Sequence, residues 1–226
     1  MTDVHILIAI DGPSGSGKST LAKRLAKELG LIYIDTGALY RTIGLHIQQK
    51  GLESTDTVNI INALSEIDIT MRLENSQGKV FLNGNPVGDE IRTPKSSIYA
   101  SDVSKIPEVR TFLLELQRNI AVRNSVAMDG RDIGTVILPN ADVKIFLFAD
   151  DEDRAERRYK ELIAKGTNVT YEEVLNDVKW RDNNDKTREI APAIPAEDAI
   201  MLNNSGMQED ETFEAALKII KDKLKL

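Results

Sequence analysis

Gly12-Pro13-Ser14-Gly15-Ser16-Gly17-Lys18-Ser19 fits the pattern G-x-x-x-x-G-K-[ST], whose chemistry is the grip on a nucleotide's phosphates. Glycines let the backbone turn tightly with its N–H groups pointing inward around phosphate oxygens. Lys18 would reach the β- and γ-phosphates, and the hydroxyl of Ser19 would take a place on Mg2+. The segment Gly12 to Ser19 is therefore read as a phosphate-binding loop, against the plainer reading of a glycine turn that merely caps a helix.

Further polar clusters carry chemistry of a compatible kind. Asp35-Thr36-Gly37-Ala38-Leu39-Tyr40-Arg41 can present a guanidinium to an anion, or can be an ordinary helix start with Thr36 as its N-cap. Asp129-Gly130-Arg131-Asp132 places two carboxylates and an arginine within four residues, a substrate constellation or a charged turn. Arg154, Arg157 and Arg158 share one helix face, where Asp153 and Glu161 could pair with Arg157 and leave the face solvated. Arg181 and Arg188 stand seven apart in the densest polar stretch, Trp180 to Glu189, and share a face if the helix continues. Arginine forks suit phosphate oxygens. His5 and His46 are lone histidines, read as structural.

These residues need elements to hold them. Val4–Ile10, Leu31–Ile34, Val126–Met128, Val143–Phe148 and Ala199–Leu202 read as strands, several of them apolar throughout, as strands covered on both faces are. Ser19 to Leu29 repeats Leu21, Leu25 and Leu29 at helical spacing, so the glycine motif falls between a strand and a helix. Helical segments between most strands predict an α/β fold with a five-stranded parallel sheet and helices on both faces. Ligands of such a sheet bind outside the carboxyl ends of its strands, which sets Asp35–Arg41 and Asp129–Asp132 facing the glycine loop. Residues 67–92 break the rhythm. Ile67 to Leu73 alternates, Asn75 to Gly78 reads as a turn, Lys79–Leu82 follows, and Asn83-Gly84 is a second hairpin turn before Asn85-Pro86-Val87. The last helix, from about Glu209, carries Phe213, Leu217, Ile220 and Leu224 on one stripe.

The chain has 226 residues, 41% hydrophobic and 29% charged, which describes an ordinary globular protein. A net charge of −7 argues against a nucleic-acid polymer as partner. No apolar run reaches membrane-spanning length, and zero cysteines leave no disulfide framework or thiolate metal site. The expected location is the cytoplasm. A guanine-reading N-K-x-D motif is absent, which weighs against a GTP-dependent switch.

GPSGSGKST, DTGALYR, DGRDIGTVILP and WRDNNDKTREIAP, in this order, resemble the bacterial cytidylate kinase family over essentially the whole length. The resemblance implies a P-loop kinase of one domain. Its core would be about 1–37, 108–152 and 170–226, its acceptor-binding subdomain with the antiparallel insert about 38–107, and its short helical lid about 153–169. It implies transfer of the γ-phosphate of ATP, as the Mg2+ complex, to CMP or dCMP in pyrimidine nucleotide metabolism, by a monomer. Carried over by position, Gly12–Thr20 hold ATP, and Lys18, Arg131, Arg157, Arg158 and Arg188 are the catalytic cations. Asp35, Thr36, Tyr40, Arg41, Ser101, Arg110, Asp129, Arg131, Asp132, Arg181, Asp185 and Arg188 would line the acceptor site. Within it, Arg41, Arg131 and Arg188 take the acceptor phosphate, Ser101, Arg110 and Asp132 the cytosine, and Arg181 and Asp185 the ribose. Some members carry serine where Thr36 stands, and either hydroxyl serves. Kinases of other small molecules and a non-catalytic nucleotide sensor are the competing readings.

Overall fold

The computed structural model of the chain describes residues 5–225. Its elements run in the order β1 (Leu7–Asp11), α1 (Lys18–Leu29), β2 (Ile32–Asp35), α2 (Thr36–Gln49), α3 (Thr57–Ala63), β3 (Ile69–Glu74), β4 (Gln77–Leu82) and β5 (Asn85–Pro86). There follow α4 (Pro94–Val103), α5 (Pro107–Arg123), β6 (Val126–Gly130), β7 (Val143–Phe148), α6 (Asp151–Ala164), α7 (Tyr171–Thr187), β8 (Ile200–Asn203) and α8 (Glu209–Leu224). Val4 of the expected first strand lies outside the described residues, and His5 precedes β1 rather than belonging to it.

The five expected strands pair in parallel in the order β2-β6-β1-β7-β8. Alternate side chains of β1 go to opposite faces, as a two-residue period requires. Ile8 and Ile10 pack with Leu21 and Leu25 of α1 and with Phe213, Leu217 and Ile220 of α8. Ala9 packs on the other face with Met128, Ile133 and Ala121. Both faces are dry, which explains why these strands read as continuous apolar runs.

One expectation needs extension. Among the described residues the sheet has eight strands, because the antiparallel insert joins it at the edge of β2 instead of standing apart. β4 meets β2 through the register Tyr33↔Gln77, while β3 and β5 both pair antiparallel with β4. The β3–β4 turn is also tighter than expected. Asn75 and Ser76 alone make it, at φ 50 and 59, while Gln77 and Gly78 already pair in β4. Two residues at positive φ give the turn whose twist matches the strands it joins. The insert buries Ile69, Val80 and Leu82 against Leu39, Ile43 and Ile47 of α2, Tyr99 of α4 and Val109 and Leu113 of α5.

Helix starts follow local chemistry. Asp35, not Thr36, caps α2, accepting from the Ala38 N–H at 2.9 Å. Thr170 and Glu173 form a reciprocal capping box on α7, and proline opens both α4 and α5. After β6 the chain winds through one turn of π-helix, Ile133–Ile137, directly behind Asp132. No helix among the described residues is long and apolar enough to cross a membrane.

Candidate active site

Three neighbouring strands carry carboxylates at their carboxyl ends, Asp11 and Asp35 as the last residues of β1 and β2 and Asp129 as the last but one of β6, with Asp35 and Asp129 in direct register. Beyond these ends lies a cleft of about 520 Å³. Its lining includes Ser14, Gly15 and Gly17–Thr20 from the glycine loop. Across from the loop stand Asp35, Thr36, Tyr40, Arg41, Ser101, Asp129, Arg131, Asp132, Arg157, Arg158, Arg181, Asp185 and Arg188. Of the residues assigned to the two binding sites in the sequence, Gly12, Pro13, Ser16 and Arg110 do not line it, and neither does Arg154 of the arginine-bearing helix face. Gly12 serves packing, since a Cβ there, at φ 155, would collide with the carbonyl of Leu147.

The loop has the shape of an anion receptor. It ends at Gly17, left-handed at φ 86, from which α1 starts with Lys18, so the partial positive charge of the helix N-terminus faces the cleft. Lys18 donates to the Pro13 carbonyl at 3.1 Å. Burial, and then the guanidinium of Arg131, push its pKa down to about 7. Arg181 is pushed to about 10 by burial and by Arg131. Cations that depress one another across a cleft are relieved by an anion placed between them.

Ser19 and Asp129 come together, the hydroxyl donating to the carboxylate at 2.7 Å, while Tyr33 donates to the other oxygen at 2.9 Å. Burial, then neighbouring Asp35, raise the pKa of Asp129; a divalent cation would offset that penalty. A hydroxyl and one carboxylate beside a phosphate site suit Mg2+, which keeps several waters and needs few protein ligands. No cluster of three or more His, Cys, Asp or Glu side chains that could cage a metal occurs among the described residues, so the residues fit a phosphate-borne Mg2+ better than a resident one.

The far wall is a network of paired charges. Arg41 holds Asp35 at 2.8 Å, and Thr36 donates to the Asp129 carbonyl at 2.8 Å. Burial alone would raise Asp35, but Arg41 and Arg92 pull it below the usual carboxylate range. Arg131 Nε donates to Asp185 at 2.9 Å, and Ser101 donates to the other oxygen of Asp185 at 3.0 Å. Burial works against ionised Asp185 too, yet Arg131, Arg181 and Arg188 hold its pKa low. Asp132 sits between two arginines, Arg110 from α5 behind it and Arg188 at 3.2 Å. Arg188 lies beyond the end of α7, so it and Arg181 meet the cleft from differently shaped backbone rather than from one helical face.

The arginines of α6 part company. Arg157 pairs with neither Asp153 nor Glu161; it donates to the carbonyl of Asn204 at 2.7 Å. Glu161 is taken by Arg158 and Lys165, and Asp153 by the Gly206 N–H. Arg92, Ser104 and Asn204 also line the cleft and were missed. Asn204 follows directly on β8, and that strand-end position was a usable signal; Arg92 and Ser104 lie in segments without one.

The cytidylate kinase family model matches residues 8–222. The chain belongs to the cytidylate kinase family. It is 49% identical over 219 residues to a cytidylate kinase from Thermosipho melanesiensis, covering 97% of this chain and 98% of that one. It is 48% identical to one from Caldicellulosiruptor bescii, covering 95% of each, and 44% identical to one from Flavobacterium johnsoniae, covering 98% of each. An uncharacterized protein from Eubacterium ventriosum shares the fold at TM-score 0.54 and 15% identity, covering 97% of this chain and 99% of that one. As a cytidylate kinase family member the chain is an enzyme.

Proposed function

We propose that the chain transfers the γ-phosphoryl group of ATP to the phosphate of CMP or dCMP, releasing ADP and CDP or dCDP. One observation carries this reading: a loop built for nucleotide phosphates and an arginine-lined wall share a single cleft. Gly12–Thr20 hold the donor. Ser19 and Asp129 would hold Mg2+ on the donor phosphates, which when bound neutralises their charge. Arg41, Arg131 and Arg188 hold the acceptor phosphate. An acceptor phosphate oxygen is already anionic at neutral pH, so no general base is needed and catalysis reduces to positioning and charge compensation. Lys18, Arg131, Arg157, Arg158 and Arg188 supply the positive charge for two anions that otherwise repel each other.

Asp132 lines the cleft with its carboxylate fixed by Arg110 and Arg188. It accepts from the N4 amino group of cytosine, where uracil would present an oxygen. Ser101 completes the base pocket, and Arg181 and Asp185 face the ribose. Residues 38–107 form the acceptor-binding subdomain, and residues 153–169 close as a lid that keeps water from the donor. The chain works as a cytoplasmic monomer in pyrimidine nucleotide metabolism. An ADP-release assay with Mg-ATP and, separately, CMP, dCMP, UMP, AMP and GMP tests the reading. Turnover that requires CMP or dCMP is the expected result; acceptor-independent hydrolysis would overturn it.

A further inference from the structure

We propose that Arg154 and Asp182 are positioning residues that hold the phosphate-binding loop in its anion-receiving shape from behind, through Ser14. The proposal rests on the donor-site reading above. Neither residue lines the cleft.

A loop whose N–H groups turn inward must turn carbonyls outward, and an outward carbonyl under protein cover needs a donor. Pro13 and Ser16 obtain theirs from Lys18 at 3.1 Å and from Asn204 at 3.0 Å. The Ser14 carbonyl accepts from Arg154 Nη1 at 2.7 Å. The Ser14 N–H runs the opposite way, away from the nest, and donates to Asp182 Oδ1 at 3.1 Å. Arg154 and Asp182 are themselves an ion pair. Both backbone groups of one loop residue are thus fixed by one charged pair.

The pair is firmly anchored. Arg154 is 3% exposed, and its Nε donates to the Ala149 carbonyl at 2.9 Å. Asp151 takes a further N–H of the same guanidinium. α6 also seats its backbone against the loop: a Cβ on Gly15, at φ 73, would stand 2.9 Å from the carbonyl oxygen of Arg154. Asp182 lies one turn before Asp185, which binds Ser101 and Arg131. A single turn of α7 therefore touches both the donor loop and the acceptor wall. A loop held this way meets phosphate without first having to order itself, and preorganisation of this kind shows as affinity.

The test is calorimetric titration of the full chain with MgADP, beside melting curves and the KM for CMP, in D182A and D182N. D182A should weaken MgADP about tenfold, the effect of one lost charge-assisted bond. D182N keeps an oxygen for the Ser14 N–H and should lose less. The KM for CMP should stay within about twofold, because Asp185 keeps its own partners. Cooperative melting with unchanged MgADP affinity in both variants would overturn the proposal and leave the pair as a structural staple. A CMP KM that rises in step with the MgADP constant would overturn it too, as general damage to the cleft. A wild-type chain that binds no MgADP would overturn the donor-site reading and the clamp with it. Should D182A fail to fold, D182N decides alone.

Discussion

On the proposed reading, the donor wall of the cleft is made mainly of backbone and the acceptor wall of side chains. One loop supplies the first, through Ser14, Gly15 and Gly17–Thr20. The second draws Arg41 from α2, Ser101 from α4, Asp132 from the segment after β6 with Arg110 of α5 behind it, and Asp185 and Arg188 from α7 and its end. Phosphates are alike in every nucleotide, so a loop of amides suffices to hold them. A base and a sugar differ between nucleotides, and telling them apart takes side chains of chosen polarity at fixed distances. The two walls should therefore fail in different ways.

Replacing Lys18 by alanine should have the largest effect, cutting turnover by about 10²–10³ whichever acceptor is used, the usual range for a lost charge-stabilising group. Steady-state rates with CMP and dCMP check this, and a loss confined to one acceptor would break the contrast. Arg188→Ala should act on the other wall. It removes a buried partner of Asp132, at a cost on the order of 3–5 kcal/mol for a fully buried pair, and should lower kcat/KM for CMP about a hundredfold while MgADP affinity holds. Unchanged kinetics would return Arg188 to a structural role.

Asp132→Ala should lower the preference for CMP over UMP by at least about tenfold, because discrimination by a specific hydrogen bond disappears with the acceptor. Equal loss with both acceptors would sink the base-reading role. The smallest effect concerns pH. The pKa of Lys18 lies near 7 in the free chain, and bound phosphate favours its charged form. Donor binding must then take up a proton once pH exceeds about 7, so MgADP affinity should fall by up to about tenfold per pH unit above that point. Below it Lys18 is charged in both states and affinity should be flat. Calorimetry in buffers of different ionisation enthalpy reads the proton directly. On the opposite wall Arg181, pushed down to about 10, stays charged over the same range, so CMP affinity should show no such slope.

The contrast also sets what could be read before any coordinates. Contiguity marked out the glycine loop between a strand and a helix, and the alternation of apolar runs with helical spacing located the five core strands to within a few residues. On the opposite wall, Asp35–Arg41 and Asp129–Asp132 were legible from their place at strand ends, whereas Ser101 and Arg110 entered only through resemblance, since they carry no local signal and meet Asp185 and Asp132 through tertiary packing alone. Arg157 shows the limit of helix-face reasoning. Spacing offered it Asp153 and Glu161, but competing partners took both, and it went to a backbone carbonyl on another element. Edge pairing of the insert was equally hidden, because a strand's neighbours depend on what the rest of the chain packs beside it.

That edge has a mechanical meaning. β4 touches β2 at one register position, where the Tyr33 N–H donates to the Ser76 carbonyl at 3.1 Å. Each such bond contributes about 1 kcal/mol net, whereas Val80 and Leu82 are sunk in the packing under α2, α4 and α5. The hairpin is thus stitched lightly to the sheet and glued firmly to the helices. Drawn by hydrogen bonds, it is the sheet's outer edge; drawn by adhesion, it belongs to the helical body beside it, and a load applied across the molecule would part the stitches before the glue.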